Sequence, residues 1–241
     1  MDETLTQKLS MYKPGSSATD LIKATPILLL VGPTGAGKDS LKDKLLEVGG
    51  YHHIISHTTR PPRINHGVVE QDGREYHFID KQKAEEMVDN QEFVEAKGYS
   101  GNLYGTSVAE IQVAHDDGKI ALTDIEVQGV AEYKGFDPNV MAVFLLPPNF
   151  QEWQARLLRR YGDVVDAADA RQRMVTGLEE IEQLLNTNYY MAVVNDDFET
   201  ALSEIQDITR TGRHEDRPNT AAHKVAEKFA QDIQKYLNET A

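Results

Sequence analysis

Residues 32–40 read GPTGAGKDS, a glycine-rich run that ends in a lysine. Gly32, Gly35 and Gly37 let the backbone turn its N–H groups inward, so that with Thr34 and Ala36 they cradle phosphate oxygens. Lys38 is placed to reach the outer phosphates, and a helix N-terminus behind it adds partial positive charge. The spacing GxxxxGK therefore predicts a nucleoside triphosphate site. The next position is usually Ser or Thr; here it is Asp39, and Ser40 supplies a hydroxyl one residue later. Two readings of Asp39 stand. Its carboxylate is a hard oxygen ligand at or near a magnesium ion. Alternatively it turns away as an acid in a helix's first turn, and Ser40 alone serves the phosphates.

Other charged residues fall into groups. Arg60 and Arg63 flank Pro61-Pro62, a stiff loop that makes a fork for one phosphate dianion. Asp124 and Glu126 close an apolar run, at the end of a parallel strand where α/β folds bind ligands. Arg156, Arg159 and Arg160 lie on one helical segment, and Arg171 and Arg173 on the next. His52 and His53 are strand neighbours that point to opposite faces, so they read as ordinary strand residues rather than shared metal ligands.

These groups need elements to hold them. Residues 27–31, ILLLV, suit a buried strand, and Leu41, Leu45, Leu46 and Val48 a helix packed on it. Residues 52–56 read as a second strand. Ser107 and Glu110 form a capping box for a helix that stops at Gly118. Strands follow at 119–123, 140–146 and 190–194. Asn149 caps the first arginine-bearing helix, and the second starts near Asp166. A helix over 198–208 closes the core. Residues 1–25 hold a short helix and a turn-forming KPGSS stretch, an extension without chemistry of its own. Pro218-Asn219-Thr220 starts a last helix whose stripe (Ala222, Val225, Ala226, Phe229, Ile233, Tyr236, Leu237) packs on the chain's own core.

The 241 residues carry a formal charge of -14, a mean hydropathy of -0.50 and no cysteine. A nucleic-acid partner needs a broad basic face, which this balance opposes. No apolar run approaches the roughly 20 residues that span a bilayer, and the polar, acidic N-terminus does not read as a secretory signal. No nucleic acid, no membrane and a cytoplasmic setting are expected; oligomeric state is not legible.

Three further stretches sharpen the reading: S-x-T-T-R-x-P-R from Ser56, E-x-x-G-x-x-Y-x-F from Glu70, and Gly101-Asn102-Leu103-Tyr104-Gly105-Thr106-Ser107. With residues 92–95, 122–130, Leu146-Pro147-Pro148 and Val194-Asn195-Asp196-Asp197, the ordered set over about residues 26–210 resembles the guanylate kinases. The resemblance implies that Arg60, Arg63, Tyr76 and Tyr104 grip the phosphate of GMP. It implies that Glu95 accepts from the guanine N1–H and amine, that Ser56 and Thr106 line the base, and that Glu126 lies against the acceptor nucleotide. Adenine lacks that donor pair, and a site built on such bonds rejects the analogue by roughly 10⁴-fold. Asp124 is implied near magnesium, Asn195 near adenine, and Arg156, Arg160 and Arg173 in a lid that closes on ATP.

The expected fold is α/β: a three-layer P-loop kinase fold with a parallel sheet, an inserted GMP-binding lobe (about 56–108) and a short helical lid (about 147–175). Residues 1–25 and 211–241 are extensions. The expected reaction is transfer from ATP to GMP with Mg²⁺, by alignment and charge neutralisation. Two alternatives stand beside it. A protein-interaction module of the same family would be expected to lose Lys38 or the arginines. A ribose-bisphosphate-type kinase shares the GKDS ending but has no use for Ser56, Glu95 and Thr106.

Overall fold

The computed structural model describes residues 3–65, 68–161, 167–212 and 220–239. In chain order, α1 (Glu3–Ser10) and α2 (Ser16–Ala24) precede β1 (Ile27–Val31) and α3 (Lys38–Val48). Short strands follow: β2 (Tyr51–His53), β3 (His57–Thr58), β4 (Ile64–Asn65), β5 (Val68–Val69) and β6 (His77–Phe78). Next come α4 (Lys81–Asp89), β7 (Phe93–Tyr99), β8 (Asn102–Ser107), α5 (Val108–Asp116) and β9 (Ile120–Asp124). The remainder is α6 (Val127–Phe136), β10 (Met141–Leu146), α7 (Phe150–Tyr161), α8 (Ala167–Asn186), β11 (Tyr190–Val194), α9 (Phe198–Thr211) and α10 (Thr220–Glu239). Two compact units emerge. One comprises Met1–Ile27, Gly50–Thr123 and Gly135–Pro138, the other Leu28–Gly49, Asp124–Lys134 and Asn139–Ala241.

The second unit holds the glycine-rich loop. Its strands run parallel in the order β11-β10-β1, with Leu30 beside Val143 and Val143 beside Met191. Every residue of β1 and β10 is buried, as expected of parallel strands covered on both faces. Helix α3 packs with α9, and α10 packs on α7, α8, β10 and β11. From the expected stripe, Ala222, Ala226, Phe229, Ile233 and Leu237 are buried, so this terminal helix covers its own unit. The expected helix starts at Asp166 and Pro218 lie outside the described residues.

In the first unit, β2 pairs in parallel with β9. The strand expected over 52–56 ends at His53, although the Ile54 N–H still donates to the Leu122 carbonyl. A separate sheet of order β6-β3-β8-β7 forms the inserted lobe. Ser100 and Gly101 join β7 to β8 with φ of 47° and 77°, the positive pair that a two-residue hairpin turn favours. Half of the expected capping box forms: Ser107 Oγ accepts from the Glu110 N–H, while the Glu110 carboxylate accepts from the Ile55 N–H and meets His77. The N-terminal segment holds two helices instead of one. Leu5 and Leu9 of α1 join a buried cluster with Ala84, Met87, Val88, Phe93, Ala96 and Leu103.

Inside the lobe the His57 and His77 rings lie 4.6 Å apart, and His77 Nε2 donates to Glu110 at 2.8 Å. Burial, helped by His77 and opposed by Glu110, Asp72 and Glu92, lowers His57 from 6.5 to about 4. The folded value lies below the unfolded one, so the unfolded chain takes up this proton first. The stability of neutral His57 is therefore fully present above about pH 6.5 and is lost progressively towards about pH 4. We expect His57→Phe to lose less melting temperature than wild type across this window; equal losses would contradict the burial of a neutral imidazole.

Candidate functional site

The glycine-rich loop is shaped by where its carbonyls go. Gly32 has a φ of 130°, and a Cβ there would meet the Leu145 carbonyl at 2.3 Å. Gly37 has a φ of 100°, and a Cβ would meet Asn195 Nδ2 at 2.2 Å. Only glycine fits either place. The Lys38 ammonium donates to the carbonyl of Gly32, with Pro33 O at 3.4 Å. Trp153 Nε1 donates to Thr34 O at 2.7 Å, and Asn195 Nδ2 donates to Ala36 O at 2.8 Å. Four carbonyls are thus engaged by side chains, an arrangement that leaves amide groups of the loop for an anion.

A cavity of about 630 Å³ opens at this loop. Thr34, Gly35, Gly37, Lys38, Asp39, Ser40, Asp124, Arg156, Arg160 and Asn195 line it, as do Arg159, Tyr161, Asp196 and Phe198, which the sequence reading had not assigned. Gly32 and Ala36 are buried behind it. Burial holds the Lys38 ammonium below its ordinary value, against the pull of Glu180, Asp124 and Asp39. For Asp124 burial works upward, but Lys42 beside it, with Lys38, holds the carboxyl below its usual range. Lys42 was missed, although it stands one helical turn after Lys38 and so on the same face.

Asp39 has a partner that neither sequence reading included: its carboxylate pairs with Arg160 at 3.2 Å. Arg156 donates to Glu152 and to the Asn195 carbonyl. Asn195 is 6% exposed and bonded to the loop itself, so it acts here on the cradle's backbone. Arg173 does not line the cavity. It lies over the Tyr161 ring at 4.2 Å and pairs with Asp169, leaving its buried Nε without a partner among the described residues. Arg171, its rival in the sequence reading, donates to the Leu237 carbonyl of α10. Glu126 is exposed and lines a different cavity, with Glu179 and Glu180.

The first unit assembles the second set. Arg60 is 6% exposed, and its guanidinium forms a two-pronged pair with Glu70 at 2.7 and 3.1 Å. It lies 5.2 Å from the Tyr76 ring centre, with Tyr104 also against it. Its Nε is buried without a hydrogen-bond partner among the described residues. Thr58, unassigned from sequence, accepts from the Arg60 N–H and donates to Leu103 O. Arg63 is exposed, while its backbone N–H donates to Glu70. Glu95 accepts from the Thr106 N–H at 3.0 Å. Ser56 offers its carbonyl to the His77 N–H.

A phosphate cradle between β1 and α3, faced by arginines from α7, defines the P-loop kinases. The guanylate kinase family model matches residues 23–211. The guanylate kinase of Alkalilimnicola ehrlichii is 34% identical over 189 residues, covering 78% of this chain and 89% of its own. That of Schizosaccharomyces pombe is 36% identical over 190 residues, covering 78% and 91%. The crystal structure of guanylate kinase from Anaplasma phagocytophilum aligns with a TM-score of 0.56 at 25% identity, covering 79% and 87%. The chain belongs to the guanylate kinase family.

Trp153 had no signal in the sequence beyond its apolar face on a helix. It is fully buried, packs against Gly177 of α8 and Phe229 of α10, and spends its one donor on the loop. Trp153→Phe keeps most of the packing and removes that donor. We expect the KM for ATP to rise by roughly three- to tenfold, the worth of one buried hydrogen bond, while the KM for the acceptor stays unchanged. A folded variant with an unaltered KM for ATP would show that the loop does not depend on this bond.

Proposed function

We propose that the chain transfers the γ-phosphoryl group of ATP to GMP, giving ADP and GDP. The observation that carries the acceptor is Arg60. A buried guanidinium N–H without a partner among the described residues is uncommon, and here it stands beside two tyrosines, where an acceptor phosphate oxygen would satisfy it. Arg63, Tyr76 and Tyr104 complete the phosphate grip. Glu95, Ser56 and Thr106 read the guanine, with Glu126 also on the acceptor side. The donor triphosphate takes residues 32–40, with Asn195 towards the adenine.

The attacking atom is an oxygen of the GMP phosphate, already ionised, so no general base is needed. Its bond to the γ-phosphorus forms as the bridging P–O bond to the β-phosphate breaks, and the electron pair leaves with ADP. Lys38, Arg156 and Arg160, which line the cavity, neutralise the charge that spreads over the moving group, and Arg173 joins them once it leaves Tyr161 and Asp169. The residues present also suit Mg²⁺. Asp124 is held ionised, and Asp39 and the Ser40 hydroxyl add hard oxygen donors. Among the described residues no group of three or more His, Asp or Glu forms a metal site alone, which fits an ion held largely by substrate phosphates and water. When bound, the metal supplies positive charge to the phosphate oxygens.

The proposed organisation is a kinase domain over 26–210, with its acceptor lobe at 56–108 and lid at 147–175, flanked by two extensions. Residues 162–166 of that lid lie outside the described residues. Among those described, no helix is long and apolar enough to cross a membrane. A cytoplasmic enzyme that binds neither nucleic acid nor membrane matches the charge and the lack of cysteine. An interaction module is disfavoured because Lys38 and the arginines are kept, and their cavity is open.

Glu95→Gln tests the reading. An amide would stand where two guanine donors need an acceptor, costing about 2–4 kcal/mol with the unsatisfied partners included. The KM for GMP should rise accordingly while the KM for ATP stays put. Unaltered GMP kinetics would remove Glu95 from the guanine site.

A further inference from the structure

The N-terminal extension precedes the segment that matches the family, yet it meets the acceptor lobe at the strand that carries Glu95. Strand β7 lies at the edge of the order β6-β3-β8-β7. An edge strand leaves outward N–H and C=O groups unpaired. At Phe93 both are taken by one side chain: the Tyr12 hydroxyl donates to Phe93 O at 2.6 Å and accepts from the Phe93 N–H at 3.1 Å. The two rings meet edge to face, with centres 6.5 Å apart. Tyr12 is held in turn by the end of α1, where its N–H donates to Leu9 O, and Leu5 and Leu9 anchor that helix in the lobe's core.

The next step along β7 is irregular. Phe93 pairs with Ser107 and Glu95 with Thr106, so Val94 is an extra residue in the strand. Strand side chains alternate between faces, and Glu95 would otherwise share the buried face of Phe93. With the bulge, Phe93 and Val94 are both fully buried and Glu95 turns out of the core, where it meets the Thr106 N–H. We propose that Tyr12 is a positioning residue of the acceptor site: its hydroxyl pins Phe93 and so fixes the bulge that aims Glu95. This rests on reading Glu95 as the carboxylate that recognises guanine. The extension thereby becomes part of the specificity apparatus of the enzyme.

Steady-state kinetics of the full-length chain, with GMP and with inosine monophosphate, which lacks the exocyclic amine, test this. Wild type is compared with Tyr12→Phe, Glu95→Gln, the double variant and Lys8→Ala, and melting curves report folding. Tyr12→Phe should raise the KM for GMP roughly three- to tenfold, with kcat and the KM for ATP within about twofold. The preference for GMP over inosine monophosphate should fall by a similar factor. Added to Glu95→Gln, it should change the KM for GMP no further. Lys8→Ala removes the ion pair of α1 with Asp89, away from Tyr12 and Phe93, and should leave all constants alone. If Glu95→Gln raises the KM for GMP but Tyr12→Phe does not, the positioning role is wrong and the guanine assignment survives. If Glu95→Gln has no effect, both fall. A lower melting temperature with GMP preference intact would make Tyr12 a structural residue only, and would also overturn the proposal.

Discussion

The carbonyls of the glycine-rich loop set the terms for the donor site. A loop that offers its N–H groups to an anion must send its carbonyls elsewhere, and a buried carbonyl needs a donor. Lys38, Trp153 and Asn195 provide those donors for Gly32, Pro33, Thr34 and Ala36. They come from three separate places: α3, α7 and the end of β11. Lys38 also shows how a desolvated ammonium is satisfied at this loop. It rests on the loop's own carbonyls, contacts that phosphate oxygens can replace with stronger, charge-assisted ones.

The acceptor lobe follows the same logic with side chains instead of backbone. Its buried cation, Arg60, is compensated on two nitrogens by Glu70, and its third has no partner among the described residues. Glu95 follows a strand irregularity and accepts from the Thr106 N–H. A chain of charge -14 thus gathers positive groups at two places, the kind of local concentration that an anion needs. The two sets sit in different units, each with its own hydrophobic support: β1 and β10 for one, the Phe93 and Leu103 cluster for the other.

Local chemistry was legible in the sequence where one short stretch determined it. The ILLLV strand, the Asn149 and Ser107 caps and the parallel character of the core were read correctly, because periodicity and capping are local. The loop and its lysine were legible for the same reason. What escaped depended on distant partners. Trp153 bonds a carbonyl 119 positions away, and Tyr12 bonds a strand 81 positions away. Asp39 was weighed against a metal and against solvent, while its actual neighbour, Arg160, comes from another helix. The bulge at Val94 has no glycine to announce it, so the alternation of residues 93–97 misreads by one place.

The central claim is that one chain joins a triphosphate cradle to a guanine-reading lobe. Initial rates with ATP and magnesium against GMP, AMP, CMP, UMP and ribose 1,5-bisphosphate at equal concentrations test it most directly. The account predicts rapid ADP formation with GMP and rates lower by about 10³-fold or more with every other acceptor. Comparable rates with AMP, or a preference for the sugar bisphosphate, would contradict it.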